Sequence, residues 1–339
     1  MSDAVNCGSG GGADTSLHLR IASVFIILIG SVSGALFPVL ARRSSWLHIP
    51  KAVFDFAKYF GSGVIIATAF IHLLGPALDE LGSPCLAPAW SVYPYALALC
   101  LLSIFMIFIV ELVAFRWGTA KLAKIGKAHD AHGHGLGSHA AHGPEPFNQT
   151  TEPTANKETS SSDIETADKN GPKFDDNALA QIIGVAILEF GVVLHSVLIG
   201  LTLAVTSDFT TLFVVIIFHQ SFEGLGIGSR LAYLELPDKY RWVPYAGAAL
   251  YGITTPLGIA IGLGVRSSYN PDSTTASIVS GVLDSLSAGI LIYTGLVELL
   301  AHEFLFNKEM MNSSNGKVAY ALCTMLLGCG IMALLGRWA

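Results

Sequence analysis

Residues 188–200 read Leu188-Glu189-Phe190-Gly191-Val192-Val193-Leu194-His195-Ser196-Val197-Leu198-Ile199-Gly200, and residues 218–224 read Phe218-His219-Gln220-Ser221-Phe222-Glu223-Gly224. Both stretches sit inside long apolar blocks, Ala178–Val205 and Thr211–Tyr233, each long enough to cross a bilayer, which takes roughly 20 residues. Ionisable groups in hydrocarbon cost several kcal/mol, so each one there needs a partner or a task.

Six further blocks of similar length flank these two: Leu19–Leu40, Val53–Leu74, Val92–Phe115, Val243–Val265, Ile278–Leu300 and Val318–Leu335. The 339-residue chain is 52% hydrophobic and 13% charged, about half the charge of a soluble domain. An all-α membrane protein of eight transmembrane helices is therefore expected. Glycines inside the blocks, such as Gly258 and Gly262, let neighbouring helices approach closely. The net charge of −6 and the lack of a basic face exclude a nucleic-acid partner. The tail around Gly8–Gly12 has no basic region ahead of the first block, so that block reads as a retained span. Cys100, Cys323 and Cys329 fall in apolar segments and read as small buried residues, and none of the five cysteines has metal-ligand spacing.

Lys and Arg alternate between loops. Arg42, Arg43 and Lys51 follow the first span; Arg116, Lys121, Lys124 and Lys127 follow the third; Arg230, Lys239 and Arg241 follow the fifth; Lys308 and Lys317 follow the seventh. The intervening loops carry only Arg266. The positive-inside rule then puts both termini outside the cytosol. The expected organisation is an extracytoplasmic tail (1–18), spans one to three (19–117), a disordered cytosolic loop (118–177) and spans four to eight (178–339). The sequons Asn148-Gln149-Thr150 and Asn312-Ser313-Ser314 fall on the cytosolic side and are expected to stay unglycosylated.

His219 and Glu223, four apart, share one helical face, where an imidazole and a carboxylate can ligate one borderline cation. The short connection Thr206–Thr210 forces spans four and five into an antiparallel hairpin. His195 and His219 each lie about ten residues from it, hence at matched depth. Ser196 and Gln220 adjoin these donors and can coordinate weakly, orient them, or serve only as packing residues. Glu189, nearly two turns to the cytosolic side, is a candidate exit carboxylate or a structural one. His72, read as ending span two on the outer side, can join the site or guard its entrance, with Asp79 and Glu80 beyond it as cation attractors. Glu298, His302 and Glu303 close span seven on the cytosolic side, where they can receive metal on release or simply mark the interface. The loop histidines His129, His132, His134, His139 and His142 form a flexible tract of the kind that gathers around Zn²⁺, suited to buffering or sensing.

On these residues the chain resembles the ZIP (zinc-regulated, iron-regulated transporter-like) family, in particular its plant and fungal branch. The carrying features are His195-Ser196-Val197-Leu198-Ile199-Gly200 and His219-Gln220-Ser221-Phe222-Glu223-Gly224, with the eight spans, outward termini and His-rich third loop. The resemblance implies an eight-helix fold with inverted repeats, a metal site at mid-membrane and uptake of cation into the cytosol. Some family members carry a Glu at the position of Ile199 and a further carboxylate in span six, giving two adjacent metals. Here Ala246–Gly264 has no acid or histidine. The expectation is a one-ion site from His195, His219 and Glu223, with His72 as a fourth contributor. The family's prolines in the two motifs are replaced by Leu198 and Phe222.

The expected substrate is Zn²⁺, carried as cargo with no prosthetic group, and the expected location is the plasma membrane. The partners are a divalent ion, the lipid bilayer and, as a candidate, a second copy in a homodimer. The alternatives are a carrier of the same fold selective for Fe²⁺, Mn²⁺ or Cd²⁺, an intramembrane metalloenzyme with Glu223 as base, and a heptahelical receptor, which the even span count disfavours.

Overall fold

A computed structural model of the chain describes residues 7–8, 11, 15–43, 50–124, 176–234, 236 and 238–338. Among these residues, eight helices are long and apolar enough to cross a membrane: α1 (Leu17–Arg43), α2 (Lys51–Leu81), α3 (Tyr95–Lys124), α4 (Asp176–Val205), α5 (Phe209–Tyr233), α6 (Val243–Val265), α7 (Thr274–Phe306) and α8 (Asn315–Leu335). Among the described residues there is no strand. Large apolar side chains such as Phe25, Ile29, Leu101 and Phe105 point outward, as helices solvated by lipid require. Several spans outrun their apolar blocks. α2 continues through Gly75-Pro76 to Leu81, with Pro76 in the first turn of a renewed α-helical stretch where its missing N–H costs nothing. α3 extends to Lys124 and α4 begins at Asp176, so the third loop is shorter at both ends than 118–177. The five loop histidines and the Asn148 sequon lie outside the described residues.

The packing pairs reveal two four-helix bundles. α1 packs most extensively on α5 and on α6, and α6 packs on α4; α2 packs on α8, and α3 on α7. One bundle is therefore α1, α4, α5 and α6, the other α2, α3, α7 and α8. They meet along a seam where α2 lies against α5 and α4 against α7. Exchanging α1 with α6, α2 with α7, α3 with α8 and α4 with α5 reproduces every one of these pairings. Each exchange swaps helices of opposite direction, so the architecture is an inverted repeat of the kind secondary carriers use. The symmetry extends to backbone detail: α2 and α7 both pass from α-helix into π-helix, at Thr68–Leu74 and Thr294–Phe306.

Glycine sets the closest approaches. A Cβ on Gly258 would lie 2.6 Å from the Val197 carbonyl oxygen, and one on Gly262 2.5 Å from Ala204 Cβ, so α4 and α6 touch through backbone. Gly61 and Gly226 do the same for α2 and α5 across the seam. At the N-terminal end of α1, the fully buried Arg20 donates to the carbonyls of Leu203 (3.1 Å), Ala204 (3.0 Å) and Thr206 (2.7 Å) and stacks 4.6 Å over Phe209. It thereby caps α4, whose last carbonyls have no partner within the helix.

Cysteine usage differs from the sequence reading. Cys7 and Cys85 form a disulfide, and Cys323 faces outward rather than inward; Cys100 is buried and Cys329 half-buried. The bridge joins the tail before α1 to the α2–α3 connection, two segments that have no spacing signal in common.

Candidate metal-transport site

α4, α5 and α7 each carry a polar residue about ten positions from the end on the side of the N-terminal tail, and α2 carries one nine from its end there: His195, His219, Asp284 and His72. Ten residues of helix span about 15 Å, so all four lie near the middle of a hydrocarbon layer of roughly 30 Å. The extension of α2 explains why His72 is here: it lies inside a 31-residue helix and not at its outer end. The His72 and His219 rings meet edge to face at 4.7 Å, and those of His195 and His219 lie 5.5 Å apart. His219 Nε2 is 3.8 Å from Glu223 Oε2 one turn below. His195 Nδ1 is 3.7 Å from Asp284 Oδ1. All five residues are at most 7% exposed.

Polar atoms with no hydrogen-bond partner cluster at this point. Both nitrogens of His195 and of His219, Glu223 Oε1, Ser196 Oγ and Asp284 Oδ1 are buried and without one. Each such atom costs about 1–3 kcal/mol, and native proteins keep few of them without a reason. A divalent cation resolves the cost in one step, because neutral imidazoles and carboxylates are its ligands. The donors converge without forming a closed shell: among the described residues no group of three His, Cys, Asp or Glu side chains is arranged to hold an ion as it stands. Ligands of one Zn²⁺ lie about 2.0–2.2 Å from it, so the imidazoles must draw together around an ion.

With this geometry in place, the sequence model of the ZIP zinc transporter family matches residues 17–336, nearly the whole chain. The chain belongs to the ZIP family. It is 43% identical over 336 residues to zinc-regulated transporter 1 of Saccharomyces cerevisiae, covering 96% of this chain and 88% of the relative. It is 35% identical over 412 residues to zinc-regulated transporter 2 of the same yeast, with 98% and 97% covered. It is also similar to Fe(2+) transport protein 1 of Arabidopsis thaliana, 34% identical over 333 residues with 96% and 86% covered. This ZIP chain is an integral membrane transporter of divalent metal ions; it is not an enzyme and needs no prosthetic group.

The other residues singled out from sequence fall around the ZIP cluster at different distances. Gln220 turns away from it: its side-chain amide donates to Thr255 Oγ1 on α6, and Tyr251 Oη donates to the Gln220 carbonyl oxygen at 2.7 Å. Tyr251, fully buried, also lies 3.4 Å from Glu223 Oε2. It is a supporting residue that sequence reading passed over. Ser196 is fully buried beside His195. Glu189 lies against Gly247 of α6, within the first bundle and about six residues below His195. Asp79 and Glu80 occupy the last turn of α2. Glu303 is buried and paired with Lys58 Nζ at 2.5 Å, with Tyr59 Oη at 3.4 Å; nearby, Arg230 of α5 donates across the seam to Ser62 Oγ at 2.8 Å. Glu298, His302 and Glu303 all fall in the π-helical stretch of α7.

Asp284 is the functional candidate that sequence analysis missed. It lies in Val282-Leu283-Asp284-Ser285-Leu286-Ser287, a mixed polar run in the N-terminal half of α7. Its depth, ten residues from the helix start, was the available signal.

Proposed function

We propose that this chain carries Zn²⁺ from outside the cell into the cytosol through a one-ion site formed by His195, His219 and Glu223 and completed by His72. The observation that carries the reading is the cluster of buried, unpartnered donor atoms at mid-membrane, drawn from both bundles. A His/Glu set suits Zn²⁺ among the divalent ions, and two of the yeast relatives are named as zinc-regulated transporters. His72 Nε2 lies 2.9 Å from the Met332 carbonyl oxygen, so it carries the proton and leaves Nδ1 with the free lone pair.

Transport follows from the seam. Three of the four donors ride on the α1/α4/α5/α6 bundle and one on the other, so displacement of one bundle against the other re-exposes the ion, as alternating access requires. Below the site, the Arg230–Ser62 bond ties the two bundles across the seam on the side assigned to the cytosol, next to the Lys58–Glu303 pair of the second bundle. Glu189 is the proposed carboxylate that assists exit.

Two independent features support the orientation. Lys and Arg concentrate in the odd-to-even loops. The Cys7–Cys85 disulfide puts the N-terminal tail and the α2–α3 connection on one face, and such bonds persist in oxidising compartments. The proposed location is the plasma membrane. The test is radiolabelled zinc uptake into liposomes holding the purified chain. Wild type is expected to accumulate zinc at least 100-fold faster than His219→Ala; equal rates would overturn the reading.

A further inference from the structure

We infer that Asp284 is the second carboxylate of the transport site, acting through His195 as the positioning residue contributed by the opposite bundle. The inference rests on the reading of His195, His219 and Glu223 as the metal donors.

Three observations converge on it. The first is geometric. Asp284 is 7% exposed, its Oδ1 has no hydrogen-bond partner, and it lies 3.7 Å from His195 Nδ1, whose own nitrogens are also unpartnered. A carboxylate facing Nδ1 holds the proton there and leaves Nε2 to bind the ion, the arrangement that fixes the ring and raises the basicity of metal-binding histidines.

The second is the pairing across the seam. The exchange that relates the two halves swaps α2 with α7 and α4 with α5. His72 on α2 meets His219 on α5; Asp284 on α7 meets His195 on α4. Both seam contacts fall at the same depth. His72 lies inside the π-helical stretch of α2 and Asp284 ahead of that of α7, so they are not equivalent positions of the repeat, but each imidazole of the hairpin has one partner across the seam.

The third is charge. Glu223 alone leaves a bound dication with one uncompensated positive charge in a dry interior, which is costly. Asp284 supplies negative charge through the His195 ring, whose basicity toward the ion it raises. Because it sits on the α2/α3/α7/α8 bundle, bundle displacement separates it from His195. The ion then loses its compensation as the site moves, which favours release.

The experiment is a zinc-binding titration of the detergent-solubilised full chain against a chelating dye. The background carries Ser at His129, His132, His134, His139 and His142, so the loop does not report. Asp284→Asn is expected to weaken binding 10- to 100-fold, and Asp284→Ser, which cannot clash, by a similar factor. In a His195→Ala background Asp284→Asn should change affinity less than twofold, because the residue acts through that ring. Unchanged affinity in both single variants would overturn the inference. So would an equal loss in the His195→Ala background, which would make Asp284 an independent ligand. Glu223→Gln separates this from failure of the underlying reading: if that variant binds zinc like its parent, the site itself is misassigned.

Discussion

The two bundles share one architecture and differ in how firmly their parts are held. In α1/α4/α5/α6, Arg20 locks α1 to the end of α4 through three carbonyls. Tyr251, Gln220 and Thr255 tie α5 to α6 behind the metal donors. In α2/α3/α7/α8, two helices are interrupted by π-helix, and His72 lies within one of those stretches. The first bundle therefore reads as a rigid block carrying three donors. The second presents single side chains, His72 and Asp284, from a backbone with irregular turns. A carrier needs this division: the ion must stay with one body while contacts from the other are made and broken.

The comparison breaks most visibly at Arg20. Replacing it with Met strands three buried carbonyls at the end of α4. A loss of about 3 kcal/mol in unfolding free energy is expected, from orphaned groups costing about 1–3 kcal/mol each with partial relaxation. Chemical denaturation in detergent reads it directly, and zinc uptake per folded molecule should change less than twofold. Normal stability with slow uptake would mean that Arg20 serves the pathway and that the first bundle does not depend on it for rigidity.

A smaller effect sharpens the picture at the end of the seam away from the Cys7–Cys85 bridge. Lys58 neutralises Glu303 within the second bundle, while Arg230, electrostatically coupled to Glu303, reaches in from the first. In Lys58→Met the freed carboxylate attracts Arg230 across the seam and tightens it. Zinc uptake is expected to fall roughly threefold to tenfold, the range one net hydrogen-bonded charge pair of about 1 kcal/mol gives. Adding Glu303→Gln should restore most of the rate. A double variant slower than Lys58→Met alone would remove the seam from the account.

How much of this was legible in the sequence depends on the kind of signal involved. The eight spans were, because bilayer thickness imposes a length that composition alone displays. The hairpin geometry of α4 and α5 was too, since a short connection fixes relative depth and makes His195 and His219 neighbours. His72 was legible as a candidate but misplaced, because apolar content drops at Gly75-Pro76 while the helix does not stop there. Asp284 was hidden by its setting among serines, where a single carboxylate carries no motif; only the pairing of α7 with α4 gives it a partner. Glu303 and Lys58 lie 245 residues apart, and no local pattern links them. Cys7 and Cys85 were unreadable as a pair for the same reason.

The central claim is that one ion is held at the seam by the imidazoles of His195 and His219 and the carboxylate of Glu223 on α4 and α5, completed by His72 of α2. X-ray absorption of the zinc-loaded chain, with the five loop histidines replaced by serine, tests it most directly. The account predicts a shell of nitrogen and oxygen at about 2.0–2.1 Å with an imidazole scattering signature from at least two rings. In His219→Ala that signature should fall by one ring or the zinc should be lost. An oxygen-only shell, or an imidazole count indifferent to His219, would contradict it.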